Sequence, residues 1–293
     1  MKPEPSSDSR AVERRPSRAA YALPTLFTAG NVFLGFISVV QSFEGAMLAA
    51  TRSPGVERHF ELAASTIGAA VFLDGLDGRI ARMTNTTSEF GREIDSLADV
   101  ISFGIAPAIL AVAWGLFFLE PPYGGVLRQQ LMTAGYFCAF MFLLCGAARL
   151  ARFNVTKNPV PKNPGRPDRK YFVGLPIPAA AGTVAAAVYA LGCQPLTYWL
   201  YSVIFLGLLA LLSFLMVSTW RYYSFKDISL MRPRSPLTII ALGGLIYLTW
   251  HYPQIVLMAM AAVYVGSGIV IRIGGIARRY FRPAKRQPEH QVS

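Results

Sequence analysis

The sequence predicts an all-α, polytopic transmembrane helix bundle of about eight spans, and three observations carry that expectation. Hydrophobic residues make up 53% of the chain and charged residues only 15%. Apolar runs recur that are long enough for a hydrocarbon core needing about 20 residues per helix. Basic residues gather in alternate loops, as they do where loops face the cytoplasm. The candidate spans are 22–42, 60–81, 96–119, 131–151, 175–193, 196–217, 236–251 and 254–273. The 236–251 run is short and also fits a tilted or interfacial helix, which leaves seven or six crossings open.

The first twenty residues, MKPEPSSDSRAVERRPSRAA, are polar and Arg-rich and predict a disordered tail. No cleavable signal peptide is expected, because 22–42 is too long for an h-region and lacks a small-residue cleavage site. In this first span Pro24 and Thr25 mark the helix entry, while Asn31 is an isolated amide among apolar residues. Such an amide needs a partner across a helix interface or in a polar pocket. Basic residues number five in the N-terminal tail, three in the 79–92 turn, seven in 149–170, four in 221–234 and six from Arg272 onward, 25 of the 28 Lys and Arg. Only Arg52, Arg58 and Arg128 fall in the other loops. Both termini and the turn after the second span are therefore expected on the cytoplasmic side of an inner membrane, with an even number of crossings.

The net charge of +12 then reads as orientation plus attraction to anionic lipid headgroups. Nucleic acid is not expected as a partner, since no recognition module is visible. Cys138, Cys145 and Cys193 lie in predicted spans without CxxC spacing and read as packing residues, with no disulfide implied. His59, His251 and His290 are scattered, without HExxH spacing, and take no catalytic role.

Four acids in DGLDGRIARMTNTTSEFGREIDSLAD break the apolar pattern: Asp74, Asp77, Asp95 and Asp99. Carboxylates at the edge of a bilayer are costly. Asp74 and Asp77 are three residues apart and Asp95 and Asp99 four, so each pair shares a helix face, separated by roughly 60° and 40° around the axis. Two such pairs facing each other form a cage of oxygens that resists joint ionisation unless divalent cations neutralise it. A metal site is the reading. Gly75, Gly78 and Gly91 sit among the acids and serve either close helix packing or ligand access to the backbone. Arg82 is either a positive-inside anchor or a phosphate contact, and Arg79 an anchor.

The spacing Asp74-x2-Asp77-Gly78-x2-Ala81-Arg82-x8-Gly91-x3-Asp95-x3-Asp99 resembles the signature of the CDP-alcohol phosphotransferase family at every specified position. The resemblance covers about the first six spans. It implies a six-helix catalytic core around a polar cavity open to the cytoplasm, and two divalent cations, Mg2+ or Mn2+, held against the diphosphate of a CDP-linked substrate. By the same resemblance Asp74, Asp77 and Asp95 hold the first ion and all four acids approach the second. Asp99 also serves as the base for the acceptor hydroxyl. Gly78, Gly91 and Arg82 are implied to face the nucleotide, and Asn31 to lie near it. Hard cations do prefer carboxylate and phosphate oxygens.

The run ARLARFN, with Arg149, Arg152 and Asn154, and the run YFVGLPIPAAAG resemble the phosphatidylserine synthase branch of that family. The integral-membrane type is meant, since the paired HxK motifs of the phospholipase-D-like type are absent. The substrates implied are CDP-diacylglycerol and L-serine. Arg149, Arg152, Asn154, Lys170 and Gly174 are the acceptor-binding candidates, a guanidinium being suited to gripping the serine carboxylate through paired hydrogen bonds. The alternative for these cations is that they only enforce topology. Pro176 and Pro178 delay the next helix, so that backbone near Gly174 can line the cavity.

Other acceptors remain open with the same chemistry: glycerol-3-phosphate, inositol phosphate or choline. A transporter is the rival class, because acids in membrane helices also mark ion pathways. Their place at helix ends, and the lack of an obvious inverted repeat, argue against it. The organisation expected is a tail over 1–20, a membrane core over 21–217, a peripheral C-terminal helix pair over 218–274 and a basic tail over 275–293. Membrane lipids are the surroundings. A homodimer is implied by the resemblance, and the small residues of AAAGTVAAAVYALG suit packing within the bundle or across that dimer.

Overall fold

A computed structural model of the chain describes residues 18–84, 89–120, 125–156, 171–223 and 236–280. Every predicted span has its helix. In chain order these are α1 (Arg18–Ala50), α2 (Val56–Thr84), α3 (Glu89–Asp99), a π-helical turn (Val100–Ile105), α4 (Ala106–Gly115), α5 (Gly125–Val155), α6 (Ile177–Ala190), α7 (Trp199–Val217), α8 (Pro236–His251) and α9 (Pro253–Tyr280). Two three-residue strands, β1 (Tyr171–Val173) and β2 (Arg221–Tyr223), pair antiparallel with Phe172 opposite Tyr222.

Among the described residues, five stretches are long and apolar enough to cross a membrane: Leu26–Ala50, Glu89–Gly115, Gly125–Val155, Trp199–Val217 and Pro253–Gly275. The second helix has the length, 29 residues, but Asp74, Asp77, Arg79 and Arg82 interrupt its apolar stretch. α6 and α8, with 14 and 16 residues, are shorter than a full crossing. Outward faces are apolar: Phe33, Phe36 and Phe43 on α1 and Phe137 and Phe140 on α5 are all exposed. That is the pattern of a surface solvated by lipid.

Small residues set the helix spacing. A Cβ on Gly35 of α1 would lie 2.7 Å from the Ser102 Cα, so α1 meets the π-turn backbone to backbone. Ser102 secures the contact, its hydroxyl donating to the buried Asn31 carbonyl at 2.8 Å. Gly45 leaves room for the Phe60 ring of α2, which a Cβ there would meet at 3.1 Å. α6 lies innermost, with Ala180, Ala181, Val184, Ala185, Ala186 and Ala187 all buried by its own chain. Its alanine-rich stripe is therefore used for packing within the bundle. Trp114 and Phe205 close the far end edge to face at 5.2 Å.

The C-terminal helices attach to the bundle through α9, which packs against α6 and β2 with Val265 buried, while most of its surface stays outward. Gly268 makes this possible, because a Cβ there would run into the Tyr222 ring. Periodicity cannot distinguish a lipid-facing from a protein-facing apolar stripe.

The ribbon is tied down by backbone bonds and one arginine. Gly174 donates to the Trp220 carbonyl at 2.8 Å and Leu175 to that of Leu215 at 3.0 Å. Arg152 donates to the carbonyls of Val217 at 3.0 Å and Val173 at 3.3 Å. Gly174 has φ +76°, and an added Cβ would come within 2.5 Å of the Met216 carbonyl oxygen. Gly192 has φ +72° but open space around it. Replacing Gly174 by Ala should therefore lower the thermal midpoint in detergent by more than Gly192→Ala, which carries only the backbone strain of about 1 kcal/mol. Equal shifts would show that the crowding at Gly174 has no energetic weight.

Candidate active site

The acids sit where α2 and α3 run out of apolar sequence. Asp74 and Asp77 lie on the last turns of α2, and Asp95 and Asp99 on α3 immediately before the π-turn. Glu89 occupies the first turn of α3, where a negative charge favours the helix dipole. One carboxylate oxygen from each of Asp74, Asp95 and Asp99 falls within 4.8 Å of the other two. Oxygens bound to one hard divalent cation at about 2.0–2.6 Å are separated by up to about that distance. Asp99 is buried, and its Oδ1 has no hydrogen-bond partner. An orphaned buried carboxylate oxygen beside two further carboxylates fits a cation ligand.

Asp77 stands slightly apart. Its Oδ2 accepts a hydrogen bond from the Thr28 hydroxyl of α1 at 2.9 Å, and both it and Asp99 are buried. It interacts electrostatically with Asp95 and Asp99, so it borders the three-acid group. Thr28 and Asn31, three residues apart, share a face of α1. The Asn31 side-chain oxygen is buried without a partner.

α5 brings the basic side. Arg149 is buried, interacts electrostatically with Asp99, and has an Nε without a hydrogen-bond partner. Arg152 is turned away to the carbonyls of Val173 in β1 and Val217 at the end of α7, and Asn154 donates through Nδ2 to the Ser96 hydroxyl at 2.9 Å. Ser96 lies between the two acids of α3, so this bond ties the end of α5 to the acid-bearing helix. Gly174 sits in the strained turn beside Arg152. Gly78 is half-buried in α2, and Gly91 is exposed in the first turn of α3. The side chain of Arg82 and the whole of Lys170 lie outside the described residues.

Three participants escaped the sequence reading: Thr28, Ser96 and Ser102. Only Thr28 left a signal, its place three residues before Asn31 on one helix face.

Residues 21–211 match the CDP-alcohol phosphatidyltransferase family, and all four acids fall inside that stretch. The chain belongs to that family. The CDP-diacylglycerol–serine O-phosphatidyltransferase of Helicobacter pylori strain J99 is 37% identical to it over 213 residues, covering 73% of this chain and 76% of that protein. The Bacillus subtilis protein of the same name is 30% identical over 205 residues, covering 70% and 91%. The archaetidylserine synthase of Methanothermobacter thermautotrophicus is 35% identical over 167 residues, covering 56% and 57%. The family match ends inside α7, before β2, α8 and α9.

Asp74→Asn and Asp95→Asn should abolish Mn2+ binding, read by titration calorimetry on protein that remains monodisperse. Thr28→Val, which leaves Asp77 without its donor, should weaken Mn2+ binding by about tenfold, in the range expected when an outer hydrogen bond to a metal-binding carboxylate is lost. Full affinity in the threonine variant would separate Asp77 from the metal centre.

Proposed function

We propose that the protein transfers the phosphatidyl group of CDP-diacylglycerol to the hydroxyl of L-serine, giving phosphatidylserine and CMP. The observation that carries this reading is the meeting of three carboxylate oxygens within 4.8 Å, one residue of the three, Asp99, having a buried oxygen without a partner. Two divalent cations, Mg2+ or Mn2+, would be held by Asp74, Asp77, Asp95 and Asp99, and when bound they neutralise the diphosphate and the departing phosphate. Asp99 takes the proton of the serine hydroxyl. The hydroxyl oxygen bonds to the phosphorus that carries the diacylglycerol, and the bond from that phosphorus to the bridging oxygen breaks, releasing CMP.

Asn31, Gly78, Gly91 and Arg82 are assigned to the nucleotide side, where an amide, two accessible backbone segments and a guanidinium match a cytidine and its phosphates. Of the two arginines on α5, Arg149 is assigned to the serine carboxylate, because it is buried, close to Asp99 and has an uncommitted Nε. Arg152, committed to the carbonyls of Val173 and Val217, holds β1 against the end of α7, with Lys170, Gly174 and Asn154 completing the acceptor side. Both termini and the site face the cytoplasm by the distribution of basic residues. A homodimer in the inner membrane is the assembly proposed. The names of the similar proteins favour serine over glycerol-3-phosphate, inositol phosphate and choline.

Purified protein in detergent with CDP-diacylglycerol and Mn2+ or Mg2+ should release CMP with L-serine and not with the other three acceptors. Preference for another acceptor would retain the metal chemistry and remove the role of Arg149. The Asp99→Asn variant should lose about 10²- to 10⁴-fold in turnover, the range for a general base, while still binding CDP-diacylglycerol. Unimpaired turnover would remove Asp99 as the base.

A further inference from the structure

An open cleft lies between β2 and α9, lined by Thr219, Trp220, Arg221, Ile271 and Arg272. Two apolar spans end beside it. That of α7 stops at Val217, just before Thr219, and that of α9 runs to Gly275, just past Arg272. The two walls are joined by a ring packed where a side chain is missing. Tyr222, the neighbour of Arg221, is fully buried, a Cβ on Gly268 would run into its ring, and its hydroxyl donates to the Val265 carbonyl at 3.5 Å. Gly268 and Arg272 are four residues apart and share a face of α9. Trp220 is held from the other side, edge to face with Phe214 of α7 at 5.6 Å. This packing brings two half-buried arginines from different elements into one small cleft. Like charges gathered at a low-dielectric boundary repel, and an anion between them relieves the repulsion.

We propose that this cleft binds the headgroup phosphate of an anionic phospholipid, Arg221 and Arg272 pairing with the phosphate oxygens while the acyl chains lie on the apolar flanks of α7 and α9. Guanidinium forks match phosphate geometry, and basic pockets between membrane helices at headgroup depth recognise such lipids. Phe214 and Val217 of α7 and Val270 and Ile273 of α9 are exposed, so each wall continues into a surface for the chains. Tryptophan favours the same boundary, with an apolar ring and a polar N–H. Among the described residues no acid pairs with Arg272. The stretches 221–234 and 272–293 together hold ten basic residues and only two acids, Asp227 and Glu289, so the surrounding charge favours an anion. A free phosphate ion shares the headgroup chemistry, but the place of the cleft at the ends of two spans favours a lipid. The Trp220 carbonyl accepts the Gly174 N–H at 2.8 Å, so a lipid held here also steadies the ribbon. The site lies beyond residue 211, where the family match ends.

The test is native mass spectrometry of the full-length protein in neutral detergent, titrated with dioleoyl phosphatidylglycerol or dioleoyl phosphatidylcholine, with and without inorganic phosphate. The first phosphatidylglycerol should bind more tightly than phosphatidylcholine by about tenfold or more. Arg272→Gln should weaken its binding by about fivefold, and Arg221→Gln with Arg272→Gln by about 25-fold, the size expected for basic side chains at an anionic membrane surface. Phosphatidylcholine binding should not change. Lys285→Gln with Arg286→Gln, which removes the same charge from the C-terminal tail, should leave the preference for phosphatidylglycerol intact. Equal affinity of the unmodified protein for the two lipids would overturn the site, a result that needs no variant to fold. Unchanged affinity in the double arginine variant, or an equal loss in the tail variant, would overturn it as well. Displacement of the lipid by inorganic phosphate at comparable concentration would remove the lipid as occupant. No turnover is involved, so the outcome is separate from success or failure of the serine-transfer reading.

Discussion

Crowding of negative charge at a bilayer boundary is the constraint on which the rest of the structure depends. Three carboxylate oxygens within 4.8 Å repel one another by about 3 kcal/mol per pair at an effective dielectric near 20. Apolar helices pack around the group without relieving that repulsion. Bound cations would offset that repulsion, and Arg149, buried and within electrostatic reach of Asp99, offsets part of it. The polar contacts near the acids can be understood as devices that keep this unfavourable arrangement from relaxing. Thr28 holds Asp77 from α1, and Asn154 holds the acidic helix from α5 through Ser96. Ser102 joins the π-turn to α1 at the Asn31 carbonyl.

The π-turn takes part in the same restraint. It follows Asp99 directly, with helical dihedrals at both of its ends, so α3 passes into α4 without a break. A wider turn advances the chain by fewer degrees per residue than an α-turn and so changes which face the following residues present. Asp95 and Asp99 can thus point at α2 while Phe103, Ala106 and Leu110 beyond the turn are fully buried in the core. Gly35, by letting α1 approach the turn at backbone distance, fixes that change of face in space.

The helices and the acids were legible in the sequence for different reasons. Lipid requires long apolar runs, and the metal chemistry requires carboxylates at fixed helical offsets. Hydroxyl partners were not legible, because serine and threonine in apolar helices commonly bond their own preceding carbonyls. Thr66, Thr133 and Ser213 do so here, as does Ser96 itself, and nothing in the sequence separates Ser96, which also accepts from Asn154, from the others. Arg149 and Arg152, alike in type and one turn apart, also looked equivalent. The division between them depends on the carbonyls of Val173 and Val217, which pairing of β1 with β2 brings together beside Arg152 from segments far apart in the chain. The closeness of α9 to the core had no local signature either, since lipid and protein neighbours select the same residue types.

The shortness of α6 bears on how the protein tolerates membranes of different thickness. Fourteen residues rise about 21 Å, well under a hydrocarbon core of about 30 Å. Because its neighbours are protein on nearly every side, that helix has no lipid length to match. Hydrophobic mismatch falls instead on α1 and α5, whose 33 and 31 residues leave room to tilt. A thinner or thicker bilayer would then be absorbed at the rim of the bundle, while the carboxylates and Arg149 keep their mutual distances.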